Sequence, residues 1–450
     1  MRYNHKISSL LLTALAVATS FSLQSCKDQP DEFELTGGKP TIYYIRPASA
    51  SASDSLLVQA YPQAQICLVG SNLTSIQQMY FNDKKAILNT SFITDNTLIV
   101  QIPSDIPDEV SDKMYLITSD QDTLAYDFHI VIPAPSVTQM SCEYAAPGST
   151  ATIYGSYFID DPNVPLEVVF PDGQKAEIKS INASRSNITI TVPDCTTEGQ
   201  ITVTSIYGTG TSSFRYLDTR GMLFDFDTPN SLTGAVLGNH GWHGQVIESN
   251  ETSLNGNYLR LGDPSVTLDE DGSWNDGNFS FEYWPGNWAD PETYSGDGVR
   301  LTDLTDFSDY ANMSYKFEMC VPKANPWASG AMQIIVGGVT KISMGNAGVK
   351  DIDGNTLGGC NNTYFNNDEL PRGLYRPWEA TGSFDTADEW ITVTIPISEF
   401  KYAMSGGAAT GSLNASDFTS LTIFVVGGGI KGTECQPVIK IDNIRAVPNK

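Results

Sequence analysis

The residues that decide the fold stand at Ala151 to Phe158, A-T-I-Y-G-S-Y-F, because the chain carries a second version of them at Cys67 to Leu73, C-L-V-G-S-N-L. Each is a run of apolar and β-branched residues broken by Gly-Ser, which ends a strand in a turn. The flanks repeat too. Around the first copy stand P-T-I-Y-Y-I-R-P at Pro40, M-Y-F-N-D at Met79, L-I-V-Q-I-P at Leu98 and M-Y-L-I-T at Met114. Around the second stand A-P-S-V at Ala134, V-V-F-P-D-G at Val168, I-T-I-T-V-P at Ile188 and I-T-V-T at Ile201. Gly70 and Gly155 are 85 residues apart, and Pro103 and Pro193 are 90 apart. Each copy supplies about six or seven short strands with turn signals between them, which is a small β-sandwich.

Beyond Gly221 the character changes. All seven Trp lie there: Trp242, Trp274, Trp284, Trp288, Trp327, Trp378 and Trp390. The segment opens on G-M-L-F-D-F-D at Gly221 and closes on V-I-K-I-D-N-I-R-A-V at Val438, with W-I-T-V-T-I-P-I at Trp390 and L-T-I-F-V-V at Leu421 between them. These alternating runs read as one larger β-sandwich, a jelly roll, with long loops carrying N-H-G-W-H-G, D-E-D-G-S-W-N-D-G and C-N-N-T-Y-F-N-N-D. The expected fold class is therefore all-β, two tandem immunoglobulin-like sandwiches followed by a larger one. The expected segments are 1–25 a signal peptide, 26–39 an acidic tether, 40–133 and 134–218 the two small domains, and 219–450 the large one.

The bulk numbers bound the function. A chain of 450 residues predicts about three domains. With 52 acidic against 26 basic residues the net charge is -26, which repels phosphate backbones and anionic lipid headgroups. Nucleic acid is therefore a poor candidate partner, and a neutral ligand meets no such barrier. At the amino terminus Arg2, His5 and Lys6 precede the apolar run Leu10 to Val17, and the segment ends L-Q-S-C at Cys26. This resembles a bacterial lipoprotein signal whose Cys26 becomes the acylated first residue. The K-D-Q-P-D-E-F-E that follows is similar to tethers of lipoproteins displayed on the outer face of the outer membrane. The other cysteines, Cys67, Cys142, Cys195, Cys320, Cys360 and Cys435, form no C-x-x-C pair, so buried free thiols are at least as well supported as disulfides.

The aromatic set carries the functional signal. A pyranose ring has a face of C–H groups that a flat indole can cover while Asn, Asp, Gln or Arg bond the hydroxyls at its edge. In F-S-F-E-Y-W-P-G-N-W at Phe279 to Trp288, Trp284 and Trp288 flank a Pro-Gly-Asn turn; Trp327 follows Pro326 and Trp378 follows Pro377. Taken singly, each ring is better explained by packing. Taken as a set of Trp in Pro-marked loops, Trp284, Trp288, Trp327 and Trp378 are the expected ligand platform, with Tyr283 divided between that role and the core face of Phe279 and Phe281. Trp390 opens a regular strand and reads as structural. For Trp242 and Trp274 the two readings are level.

No catalytic constellation stands out: there is no G-x-S-x-G elbow, zinc helix or phosphate loop. His240 and His243 have a metal-like spacing in a Gly-rich loop with no further His or Cys ligand beside them, so a metal is not expected there. Asp225, Asp227 and Asp442 lie on the first and last strands of the large domain, where oxygens from neighbouring strands could hold a structural Ca²⁺; the favoured reading is edge charges facing water. No other cofactor is expected.

The early Pro, the strand-Gly-Ser/Asn turn, the F-x-D/G hairpin and the strand ending in Pro resemble IPT/TIG domains over Pro40 to Leu217. The lipobox, the tandem sandwiches and the Trp-rich carboxy-terminal segment together resemble surface glycan-binding lipoproteins of polysaccharide-utilisation loci. Within that resemblance F-D-F-D, N-P-W, Y-R-P-W, W-I-T-V-T-I-P-I and I-D-N-I-R are similar to a xyloglucan-binding-type domain. The resemblance implies non-catalytic capture of a neutral β-linked plant glycan such as xyloglucan, mixed-linkage glucan or mannan. It also implies small domains acting as spacers, and delivery to an outer-membrane transporter with its partner lipoprotein or to a surface endo-glycanase. Two rivals are a glycanase on a sandwich scaffold and a protein-binding adhesin.

Overall fold

The computed structural model describes residues 33–52, 54–227, 243–283, 300–337 and 371–449. The chain divides into two compact units, Met1–Pro133 and Ala134–Lys450. Among the described residues no helix is long and apolar enough to cross a membrane, and the secondary structure is almost entirely antiparallel sheet.

In the first unit a three-stranded sheet orders Thr41–Pro47, Gln65–Ser71 and Thr97–Gln101. A four-stranded sheet orders Lys84–Lys85, Ile76–Phe81, Lys113–Thr118 and Thr123–Asp127. Their inward positions, including Ile66, Leu68, Met79, Leu98, Met114 and Leu116, are buried between the sheets. The repeated glycine has a steric origin. A Cβ on Gly70 would stand 2.0 Å from the Thr41 carbonyl oxygen, and one on Gly155 would stand 1.8 Å from that of Ser136. In both sandwiches the first strand bulges at this crossing, between Ile42 and Tyr44 and between Val137 and Gln139, and only Gly lets the backbones approach so closely.

The second unit holds two cores. The smaller, between the sheet Ser136–Met140, Thr150–Ser156, Asn187–Thr191, Glu177–Ile181 and the sheet Glu167–Val169, Thr202–Ser205, Gly208–Thr211, centres on Ile153, Phe158, Phe170, Ile188 and Tyr216. The larger lies in the carboxy-terminal domain, whose strands are β1 (Met222–Phe224), β2 (Ile247–Glu248), β3 (Tyr258–Leu261), β4 (Ser280–Tyr283), β5 (Met313–Cys320), β6 (Ala331–Gly337), β7 (Gly373–Tyr375), β8 (Ile391–Pro396), β9 (Ser420–Val426) and β10 (Ile439–Pro448). One sheet has the order β2-β3-β10-β5-β8, with β1 also pairing β10; the other has the order β4-β9-β6-β7. Phe281, Ile334, Ile423 and Val425 from one sheet meet Tyr315, Phe317, Ile439 and Ile441 from the other in a single apolar cluster.

The second small sandwich is fused to the outer side of the β10 sheet. Lys316 and Glu318 alternate outward on β5, and Arg445 stands beside them on β10. Glu143 of the small sandwich accepts from Lys316 Nζ at 2.6 Å and from Arg445 Nη2 at 2.8 Å. Glu318 accepts from both terminal nitrogens of Arg445, at 2.8 and 3.0 Å. Thr392 Oγ1 donates to Glu318 and accepts the Glu143 amide at 2.7 Å. Burial opposes the charge on Arg445, but Glu318 and Glu143 outweigh it and hold the guanidinium protonated. Trp390, read as structural, packs on this interface, edge-on to Tyr258 and donating to the Thr252 carbonyl at 2.9 Å.

Candidate functional site

The β4-β9-β6-β7 sheet has both faces covered, and they differ in chemistry. The pairings Phe281↔Ile423 and Ile334↔Ile423 set one apolar row toward the core. The alternate row, Ser280↔Phe424 with Glu282↔Thr422 and Gln333↔Phe424, faces the other way. Arg372, just ahead of Gly373 on β7, joins that row by donating to Gln333 Oε1 at 2.9 Å. A carboxylate, an amide and a guanidinium on one outward sheet face, each at most 3% exposed, is unusual because buried polar groups are retained only where they are bonded. Gln333 uses its Nε2 on the carbonyls of Met404 and Val426. Glu282 accepts from Ser280 Oγ at 3.0 Å and lies 3.3 Å from His243 Nδ1, while His243 Nε2 is 3.9 Å from Asp276. His243 thus pairs with carboxylates, and among the described residues no group of three His, Cys, Asp or Glu is arranged to hold a metal.

Among the described residues Trp274 is the large exposed ring of this domain. It stands edge-on to Phe424, centroids 5.0 Å apart, and is 41% exposed. Its loop is held rigidly: Asp269 Oδ1 accepts the amides of Asp271 and Ser273 at 3.0 and 2.9 Å, and the Gly272 carbonyl accepts the Gly427 amide at 2.8 Å. Gly272 has φ +64°, and a Cβ there would sit 2.6 Å from the Gly330 Cα.

The expected platform is corrected by burial. Trp327 is 0% exposed and Trp378 3%, both inside the main core, so neither has a free face for a ligand. Their loops fold back into the sandwich because each indole N–H finds a backbone acceptor there, Trp327 on the Ser329 carbonyl at 2.6 Å and Trp378 on the Gly330 carbonyl at 2.9 Å. These rings therefore act as supports: they anchor Ser329 and Gly330, against which Gly272 packs two residues before Trp274. Tyr283 is 3% exposed, on the core face edge-on to Phe224 at 5.2 Å, which places it with Phe279 and Phe281 in the core. Trp284 and Trp288 lie outside the described residues, as do Trp242, His240 and Cys26. Residues 284–299 follow β4, and 338–370 join β6 to β7. The cysteines Cys67, Cys142, Cys195 and Cys320 are buried thiols and Cys435 is half-buried. The reading of Asp225, Asp227 and Asp442 as water-facing charges fails for Asp442, which has no exposed surface.

The signal for Trp274 was present in D-E-D-G-S-W, an Asx turn with a left-handed Gly that stiffens a loop tip. Nothing in the sequence marked Glu282, Gln333 and Arg372 as one row, since only the strand pairing brings them together.

The family model described as the surface glycan-binding protein B xyloglucan binding domain matches residues 216–448. The crystal structure of the surface glycan-binding protein PbSGBP-B from Prevotella bryantii is 50% identical, covers 92% of this chain and 100% of that one, and superposes with a TM-score of 0.79. An IPT/TIG domain-containing protein of Bacteroides ovatus is 25% identical over 286 residues, 60% of this chain and 57% of that protein, so the chain spans less than two thirds of that relative.

Proposed function

Because the chain belongs to the family of surface glycan-binding proteins with the B-type xyloglucan-binding domain, we propose that it captures a neutral β-linked plant polysaccharide at the cell surface without cleaving it. Xyloglucan is the first candidate. The observation that carries this reading is an exposed, rigidly held indole, Trp274, standing edge-on to Phe424 of the β4-β9-β6-β7 sheet. An indole of this kind covers the C–H face of a sugar ring. Trp284 and Trp288, which follow Glu282 in the sequence, are the further rings proposed for glycan contact. The net charge of -26 suits a neutral polymer. Acylation at Cys26 anchors the chain to the outer membrane with its domains outward, where a transporter and its partner lipoprotein receive the glycan.

Affinity electrophoresis of Ala134–Lys450 against xyloglucan, mixed-linkage glucan and glucomannan tests the proposal, with reducing ends assayed after prolonged incubation. A fragment starting at Gly221 would strip Glu143 from Arg445 and is the wrong unit. Retardation without new reducing ends is expected, and Trp284→Ala and Trp288→Ala should abolish it at an unchanged thermal transition. Cleavage of the polymer would replace capture with catalysis, and indifference to all three glycans would favour a protein-binding adhesin.

A further inference from the structure

Strands β1 and β3 lie end to end along one edge of β10: Phe224 pairs with Ile444, and Leu259 pairs with Ile441. The two β10 residues between these partners, Asp442 and Asn443, face the joint. On the opposite edge Asp442 is paired with Glu318. Into the joint run the chain leaving β1, Asp225 to Asp227, and the chain entering β3, Asn255 to Asn257. Asp227 Oδ1 accepts the Asn257 amide at 2.6 Å, Asn257 Nδ2 donates to the Phe226 carbonyl at 3.0 Å, and Asn443 Nδ2 lies 3.5 Å from Asn255 Oδ1.

Asp442 is the anomaly. Its side chain is 0% exposed, its Oδ1 accepts the Asn443 amide at 2.8 Å, and among the described residues its Oδ2 has no hydrogen-bond partner. The carboxylates of Glu318, Asp227 and Asp225 all lie within electrostatic reach of it. A buried carboxyl oxygen without a donor is rare and calls for a missing partner. With further carboxylates in electrostatic reach, the partner it calls for is a cation.

We propose that Asp442 and Asp227, with carbonyl and amide oxygens of the segments Asp225–Asp227 and Asn255–Asn257, hold one divalent cation, calcium in preference to magnesium. Among the described residues no three acidic, His or Cys side chains chelate by themselves. The shell therefore combines two carboxylates with neutral oxygens and water, a mixture that calcium accepts and zinc does not. The ion would also brace the interface with the small sandwich. The loop it fixes carries Leu254, which packs on that sandwich's core, and Thr252, which bonds both Trp390 Nε1 and Lys440 Nζ.

The test is thermal unfolding of the full chain after chelation, with and without millimolar calcium chloride, together with elemental analysis of the purified protein. Calcium should raise the transition by about 4 °C or more, with magnesium less effective and one calcium retained per chain. Asp442→Asn and Asp227→Asn should each abolish the response. Asp227 is at the surface, so its variant folds even if the buried one does not. No calcium-dependent shift in the wild type would overturn the proposal and leave Asp442 as a protonated structural carboxyl; so would an undiminished shift in Asp227→Asn.

Discussion

Arg445 reaches across two domains, donating at 2.8 Å to Glu143 of the small sandwich and at 2.8 Å to Glu318 of its own. All three side chains are at most 3% exposed. Replacing Arg445 with Met leaves the Glu318 carboxylate without a cation in a site sealed from water, while Glu143 keeps Lys316, and removing one partner of such a buried pair destabilises by about 3–5 kcal/mol. Chemical denaturation of Ala134–Lys450 should show that loss, with Arg445→Lys intermediate because it keeps the charge but not the fork. A change below about 1 kcal/mol in the Met variant would mean the charges relax out of the interface.

The linker between the two domains carries a pH signature. Burial alone would raise the Asp218 carboxyl, but Arg220, bonded to both its oxygens at 2.8 Å, outweighs burial and holds it below the ordinary 3.8. The folded form then binds fewer protons than the unfolded form over that interval. Its contribution is complete above the unfolded value and is lost as pH falls through the folded one. The stability gap between wild type and Asp218→Asn should be constant from neutral pH to about 5 and close below about pH 4. A gap that persists in acid would assign the effect to packing.

The two kinds of Trp separate by what their removal changes. Trp327→Ala opens a cavity in the main core and should destabilise by about 3–5 kcal/mol. Trp274→Ala should cost less than about 1.5 kcal/mol and still eliminate retention by xyloglucan. Equal thermal transitions for the two variants would contradict the assignment of support and contact.

Gly428 should tolerate no side chain. Its φ is +92°, and a Cβ would lie 2.4 Å from that of Ala331, whereas Gly148, at φ +81°, has nothing within 4 Å. Gly148→Ala should show only the backbone penalty of about 1 kcal/mol, and Gly428→Ala at least twice that, as read from denaturation midpoints.

Much of the fold was legible because it rests on local signals. I-T-I-T-V-P at Ile188 is half-buried and alternating, and it forms a strand; the duplicated Gly-Ser marks the same close crossing in both sandwiches. The candidate site was only partly legible. A Pro beside a Trp says that the chain turns there, not which way the ring points, and for Trp327 and Trp378 that was decided by carbonyls at Ser329 and Gly330. The row Glu282, Gln333 and Arg372 depends on register between strands far apart in sequence, which periodicity within one strand does not encode.

The small sandwich is bonded to one sheet of the carboxy-terminal domain, and Trp274 rides on the other. Tension on a polymer held, as proposed, at Trp274 would therefore cross the whole thickness of the domain, through the apolar layer and into Arg445 and Lys316. A contact loaded through several buried charges at once yields together or not at all, unlike a hairpin peeled one bond at a time. Over Ala134–Lys450 the captured chain would be tethered to a stiff body, able to resist drag from a moving fluid.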